Sequence, residues 1–324
     1  MDRSLRITGK RPGPELLVLG GVHGDEYEPI QAIRQLADRV DPAKLSGQLL
    51  LIPIANGPAF ESHQRGGPDG LDLARTFPCS HAASQHARGT VTQRIAERLA
   101  TRIAACDFLI DLHTGGRAMT IWPLTGYMLC KSPDVLDTQR RMARAFGLPL
   151  IWGTSPQLEG RSLSVARDAG KPAIYAEWGG GSGCDPAGVT AYVEGCLNVM
   201  SELNMYAART LVATSQTMVE DPRDGSGHLQ SNYPAPHAGF YQPAQPLGQI
   251  IQPGALLGTI WFNWDEPVTE VRATGGGLLI LNRTLPAVRA GDALATILEI
   301  DQASSSSGDA PTPADPLSPP GTQS

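Results

Sequence analysis

The sequence has few of the features that mark membrane, secreted or nucleic-acid-binding proteins. No apolar run approaches the ~20 residues that a membrane-spanning helix needs. The first residues, MDRSLRITGKRPGPE, contain no apolar core of a signal peptide. The formal net charge of −6 provides no basic surface for nucleic acid. These absences predict a cytoplasmic protein with neither nucleic-acid nor membrane partners.

Cysteine is also scarce and unpatterned. The chain has 5 cysteines, an odd number, and none of them forms a Cys-x-x-Cys pair. Such a pattern predicts neither a disulfide framework nor a thiolate zinc site. The 324 residues are 41% hydrophobic and 18% charged, which is sufficient for a sizeable folded core.

Apolar runs and helical patterns alternate from residue 16 to about residue 200. The strand-like runs are 16–21, 47–56, 107–113, 148–153 and 171–179, and the helix-like stretches are 28–40, 91–105, 134–146, 161–169 and 186–210. Strands that alternate with helices predict a mixed, mostly parallel sheet with helices on both faces. We expect residues 1–219 to form this α/β domain.

The pattern then changes to short apolar runs separated by glycine. Residues 220–236 are rich in Pro, Gly and Asp and are predicted to be a linker. Residues 237–301 are predicted to form a small all-β barrel-sandwich domain of the lipoyl type. No lysine follows Lys171, so this domain cannot carry a lysine-linked cofactor. The low-complexity residues 302–324 are predicted to be a disordered tail.

Two histidines follow predicted strands. His23 and Glu26 come directly after the first apolar run, and His113 ends the run 107–113. The carboxyl ends of strands are where α/β proteins bind ligands. Imidazole and carboxylate groups are good zinc ligands, and catalytic zinc typically has three protein ligands. The residues therefore predict a zinc site, with Asp111 available to orient one of the histidines.

Four blocks of the sequence resemble the succinylglutamate desuccinylase/aspartoacylase family, within the zinc carboxypeptidase-like group. The blocks are HGDE at 23–26, NGPAFESHQRGGPDGLDLARTFP at 56–78, DLHTGG at 111–116 and AEWGGG at 176–181. The resemblance implies a zinc-dependent hydrolase that cleaves an amide bond, typically in an N-acyl amino acid. It implies one Zn²⁺ held by His23, Glu26 and His113, and it implies that the β-rich domain caps the entrance to the site.

The resemblance also implies the roles of further residues. Glu177 matches the family's general base, and Arg65 matches an arginine that polarises the scissile carbonyl. Arg75 and Arg161 match substrate-binding arginines, and Asn56 is placed with them. Tyr233, just before the capping domain, and His237 and Tyr241 within it are candidates to reach over the site.

One position departs from the family pattern. The family usually has Asp-Leu-Asn-Arg where this chain has Asp72-Leu73-Ala74-Arg75. An alanine side chain cannot donate a hydrogen bond to a substrate carboxylate. The departure predicts a change in how that carboxylate is held, and a substrate that differs from acetylaspartate or succinylglutamate.

The sequence thus favours a deacylase that acts on a small N-acyl amino acid and has neither nucleic-acid nor membrane partners. An acetylated diamino acid, such as N-acetyl-diaminobutyrate, is one substrate that the resemblance offers. A zinc carboxypeptidase acting on peptides and a non-catalytic binding protein on the same fold are the alternatives. The sequence leaves open whether the chain forms a homo-oligomer.

Overall fold

The computed structural model describes residues 4–78, 89–207, 215–229, 232–265 and 267–300. The predicted disordered tail, residues 302–324, lies outside the described residues, as does Cys79. The helices are α1 (Glu28–Arg39), α2 (Gly57–Glu61), α3 (Val91–Ala105), α4 (Pro133–Phe146), α5 (Ser162–Asp168) and α6 (Pro186–Glu202), with a 3₁₀ turn at Leu73–Arg75.

The strands alternate with these helices in the first part of the chain and follow one another in the last part. They are β1 (Leu5–Thr8), β2 (Arg11–Leu19), β3 (Ser46–Ile52), β4 (Phe108–His113), β5 (Met119–Met128), β6 (Leu150–Thr154), β7 (Ala173–Gly180), β8 (Thr217–Glu220), β9 (Gly239–Pro243), β10 (Ile250–Ile251), β11 (Leu256–Trp261), β12 (Thr269–Arg272), β13 (Gly277–Arg283), β14 (Ala287–Val288) and β15 (Ala295–Leu298).

The large sheet is mixed and mostly parallel at its centre, which confirms the predicted fold class. The strand order is β1-β3-β2-β4-β7-β5. The sheet branches at β5, because the first residues of β5 pair with β13 and its last residues pair with β6. The strands β2, β3, β4 and β7 are parallel to their neighbours in this group, whereas β5 runs antiparallel to β7. The carboxyl ends of β2, β4 and β7 therefore meet at one edge.

Helices cover both faces of the sheet. Along β2, Leu16 and Val18 pack with α1, α4 and α6, while Leu17 and Leu19 pack with α3 and α5. Successive strand residues point to opposite faces, so this run is apolar throughout rather than alternating. Within the described residues, no helix is both long enough and apolar enough to cross a membrane.

Several element boundaries differ from the predicted ones. Helix α6 ends at Glu202 rather than continuing to residue 210, because Asn204 adopts a left-handed conformation with φ 56°. Strand β5 was absent from the predicted strands. Pro123 and Gly126 interrupt its pattern, and a register shift between Ile121 and Leu124 accommodates the proline within the sheet.

The C-terminal part of the chain is all β. Strands β12, β11, β9 and β14 form a separate four-stranded sheet, around a core that includes Tyr241 and Leu257. Strands β10, β13 and β15 instead extend the large sheet through the pairing of β13 with β5. The C-terminal segment is thus anchored beside the sheet that carries the site. The boundaries 219, 237 and 301 remain predictions.

Candidate active site

The turn between β2 and α1 places His23 and Glu26 side by side. Gly24 packs so closely on α2 that an added Cβ would lie 2.1 Å from the carbonyl carbon of Ala59, so the turn requires glycine there. The carboxylate of Asp25 accepts a hydrogen bond of 3.1 Å from the backbone N–H of Arg117. The turn is held from both sides, and His23 and Glu26 are buried together at the strand ends.

His113, the last residue of β4, completes a cluster with these two residues. Glu26 Oε1 lies 2.7 Å from His23 Nδ1, and Glu26 Oε2 lies 3.1 Å from His113 Nδ1. One ligand atom from each residue can be chosen so that all lie within 4.8 Å of one another. Burial alone would raise the pKa of Glu26, but the neighbouring imidazoles lower it far below its usual range. A buried carboxylate between two imidazoles is a donor set that could hold a divalent metal ion.

Each histidine also contacts a second carboxylate, through its Nε2 atom. Asp72 Oδ1 lies 3.1 Å from His23 Nε2, and Asp111 Oδ2 lies 3.2 Å from His113 Nε2. Contacts of this kind fix the ring orientation and leave Nδ1 of each histidine turned toward Glu26. Asp111 was predicted to orient a histidine, and the structure places it at His113. Asp72 has the same relation to His23, a role that the sequence pattern did not predict.

Glu177 lies next to this cluster. In the ladder between β4 and β7 it is directly opposite His113. Its side chain is buried, and among the described residues Oε2 has no hydrogen-bond partner. Burial raises the pKa of Glu177 to about 8, which outweighs the opposing effect of His113. A carboxyl group with such a pKa can both accept and release a proton near neutral pH.

Three arginines line the same cavity. Arg65 Nη1 lies 3.6 Å from Glu26 Oε1, and Arg65 Nε donates to Asp72 Oδ2 at 3.2 Å. Arg75 ends the 3₁₀ turn and is exposed to solvent. Arg161 donates to the carbonyl of Gly227 at 3.2 Å, and burial together with the charge of Arg75 lowers its pKa to about 10. Two guanidinium groups so placed favour an anionic ligand.

The structure does not bring every predicted residue to the cavity. Asn56 is the N-cap of α2 and accepts a hydrogen bond from the N–H of Ala59 at 3.3 Å. It is fully buried and is not among the residues that line the cavity. Ala74 does line the cavity, so the missing Asn side chain leaves space there.

The candidates from the C-terminal domain also lie elsewhere. Tyr241 is buried in the core of the four-stranded sheet, and His237 and Tyr233 contact Thr269 and Thr274. Gly227 and Leu229 line the cavity instead. Both belong to residues 220–236, which were predicted to be a linker. A glycine-rich composition marks a loop but does not reveal which site the loop approaches.

The fold and the site together define an α/β protein with a two-histidine, one-carboxylate centre at the carboxyl ends of its strands. Residues 12–203 match the family model described as succinylglutamate desuccinylase/aspartoacylase catalytic domain. Over 303 residues, covering 91% of this chain and 84% of the relative, the sequence is 30% identical to the N-alpha-acetyl-L-2,4-diaminobutyric acid deacetylase of Halomonas elongata. The chain belongs to the succinylglutamate desuccinylase/aspartoacylase family.

Solved structures agree with this placement. A succinylglutamate desuccinylase/aspartoacylase from Rhodobacter sphaeroides has a TM-score of 0.80 at 27% identity, covering 91% of this chain and 88% of that one. The product-bound ectoine utilization protein EutE (DoeB) of Ruegeria pomeroyi has the same TM-score at 24% identity, covering 91% and 87%. The second likeness shows a shared fold.

Proposed function

We propose that this protein is a zinc-dependent hydrolase that cleaves the amide bond of a small N-acyl amino acid. The observation that carries the proposal is the buried cluster of His23, Glu26 and His113 with Glu177 directly opposite His113. The cluster opens into a cavity that also holds Arg75 and Arg161. Hydrolytic and anion-binding groups therefore share one small space.

The donor set fits a zinc ion. His23 and His113 would bind it through Nδ1 and Glu26 through its carboxylate, since these atoms already converge and the other ring nitrogens face Asp72 and Asp111. A bound zinc ion acts as a Lewis acid and lowers the pKa of water toward neutrality.

Glu177 is the general base of this proposal. Its raised pKa lets it accept the proton of the attacking water and then donate a proton to the departing amine. Its buried position keeps other water away from the proton while it is held.

The arginines hold and polarise the substrate. Arg65 lies beside Glu26, where a fixed positive charge stabilises the negative charge that develops on the scissile carbonyl oxygen. Arg75 and Arg161 bind the carboxylate of the amino acid, a task that suits the paired N–H groups of guanidinium. Because Ala74 contributes no hydrogen bond, this carboxylate depends on the two arginines.

Amine release from a panel of acyl amino acids tests the proposal. The zinc-loaded protein is incubated with N-acetyl, N-succinyl and N-formyl amino acids and with small peptides. Nα-acetyl-2,4-diaminobutyrate is included because it is the substrate in the name of the Halomonas relative. We expect turnover of acyl amino acids that is lost on chelation and in a Glu177→Gln variant. Hydrolysis of peptides alone, or turnover that survives chelation, would contradict the proposal.

A further inference from the structure

We propose that the cavity selects acyl amino acids with an apolar, uncharged side chain, and that its wall next to Arg161 receives that side chain. This inference rests on the proposed function and departs from the diamino acid of the Halomonas relative.

We call five of the apolar residues that line the cavity its apolar wall. Ile121 and Met128 come from β5, Leu158 and Leu163 from the start of α5 and the loop before it, and Leu229 from the loop after β8. All of them are at most 9% exposed. Burial of a substrate methylene group against such a wall strengthens binding roughly fourfold.

Tyr175 lines the same cavity. It precedes Glu177 by two residues on β7, so both side chains lie on the same face of the strand. Its ring lies against Gly126 of β5, where an added Cβ would come within 2.2 Å of the ring atoms. Glycine at position 126 thus leaves the space that the ring of Tyr175 occupies.

Two of the hydroxyl groups that line the cavity donate to protein atoms. Thr154 donates its hydroxyl hydrogen to the carbonyl of Tyr127 at 3.2 Å. Ser162 donates to the carboxylate of Asp111. These two hydroxyl hydrogens are therefore not available to a substrate ammonium group or side chain.

None of the described lining carboxylates presents an accessible, unassigned oxygen to a substrate ammonium group. Glu26 lies between the two histidines, and Asp111 contacts His113 through Oδ2. Asp111 Oδ1 has no hydrogen-bond partner among the described residues, but it is inaccessible to solvent. Glu177 faces the reacting amide in the proposed function. An ammonium group would instead meet the charges of Arg75 and Arg161, and burying an unpaired charge is costly.

The position of Arg161 assigns the wall to the amino-acid side chain rather than to the acyl group. Arg161 immediately precedes α5, two residues before Leu163 of the wall. The carboxylate that Arg161 binds is attached to the same carbon as the side chain, whereas the acyl carbonyl lies toward Arg65 and Glu26. The side chain is therefore the substituent that reaches the apolar wall.

Two substrates of nearly equal shape test the inference. N-acetyl-L-norvaline ends in a methyl group where Nα-acetyl-L-2,4-diaminobutyrate ends in an ammonium group. We expect kcat/KM to be at least about tenfold higher for the norvaline compound. Equal values, or preference for the diamino compound, would overturn the inference while leaving the deacylase proposal intact. Preference for N-pentanoylglycine over N-acetyl-L-norvaline would also overturn it, because the wall would then serve the acyl group.

Binding of the free amino acids separates failure of the inference from failure of the proposed function. If no compound is hydrolysed, the proposed function fails, and calorimetry with L-norvaline and L-2,4-diaminobutyrate on the zinc-loaded protein still tests the wall. Tighter binding of L-norvaline supports the inference, and tighter or equal binding of the diamino acid refutes it.

A matched pair of variants locates the selectivity. Leu229→Asp adds a carboxylate to the wall and should move the ratio of kcat/KM values at least about tenfold toward the diamino substrate. Leu285→Asp makes the same change on a side chain that is 41% exposed and outside the cavity, and should leave the ratio unchanged. An unchanged ratio in a folded Leu229→Asp protein would contradict the assignment. If that protein does not fold, the comparison of the two substrates on the unmodified protein decides.

Discussion

Replacing Asp72 with Ala tests how the proposed metal site is held. Asp72 Oδ1 accepts a hydrogen bond from the N–H of Ala74 at 2.8 Å and lies 3.1 Å from His23 Nε2, while Oδ2 accepts one from Arg65 Nε at 3.2 Å. An Ala side chain has no acceptor oxygen, so all three of these N–H groups lose their acceptor. Loss of the partner behind a metal-binding histidine typically weakens metal affinity by about 10- to 100-fold. That range corresponds to about 1.4–2.8 kcal/mol of binding free energy.

Competition with a chromophoric chelator measures the zinc affinity of the two proteins. Asp69→Ala is the matched control, since Asp69 lies in the same loop but bonds to the backbone N–H and the hydroxyl of Thr92. We expect the control to bind zinc as the unmodified protein does. Equal zinc affinity in the Asp72 variant would refute the view that Asp72 orients His23.

Three further predictions concern the base, a ligand and a distant ion pair. Glu177→Gln should lower kcat by at least about 100-fold while metal analysis still finds bound zinc; near-normal turnover would exclude Glu177 as the base. His113→Ala should lose its zinc on dialysis, and retention of one zinc per chain would remove His113 from the ligand set. Hydrogen bonds from Arg140 lower the pKa of Glu220 below its ordinary 4.5. The pair therefore stabilises the fold fully above pH 4.5, and this stabilisation is lost as the pH falls through the lowered pKa of the folded state. Thermal unfolding of Glu220→Gln should therefore depend less on acid pH, and an unaltered dependence would contradict this.

The fold was predictable where strands are apolar and uninterrupted. The run at Leu16–Leu19 is buried on both faces, so its composition alone indicates a central strand. Strand β5 also lies inside the sheet, but Pro123 and Gly126 are residues typical of a loop. The register shift between Ile121 and Leu124, which accommodates the proline, is visible only in the structure. The short strands β1 and β8 carry too few residues for a periodic signal.

The site was predictable where chemistry and strand ends coincide. His23, Glu26 and His113 each follow an apolar run, and the parallel order of β2 and β4 brings those ends together. Tyr175 and Leu229 carry no such signal, because an aromatic residue within a strand and a leucine in a loop are typical of ordinary packing. Their place in the cavity wall follows from how β7 and the loop after β8 pack, which short sequence patterns do not encode.

Zinc titration of the metal-free protein, with amine release followed at each step, tests the central claim most directly. The substrate is the best acyl amino acid of the panel, and bound zinc is measured in parallel. If His23, Glu26 and His113 form one catalytic centre, activity should rise in proportion to bound zinc and saturate at one ion per chain. Activity in the metal-free protein, or zinc bound at this site without any gain in turnover of acyl amino acids, would contradict the account.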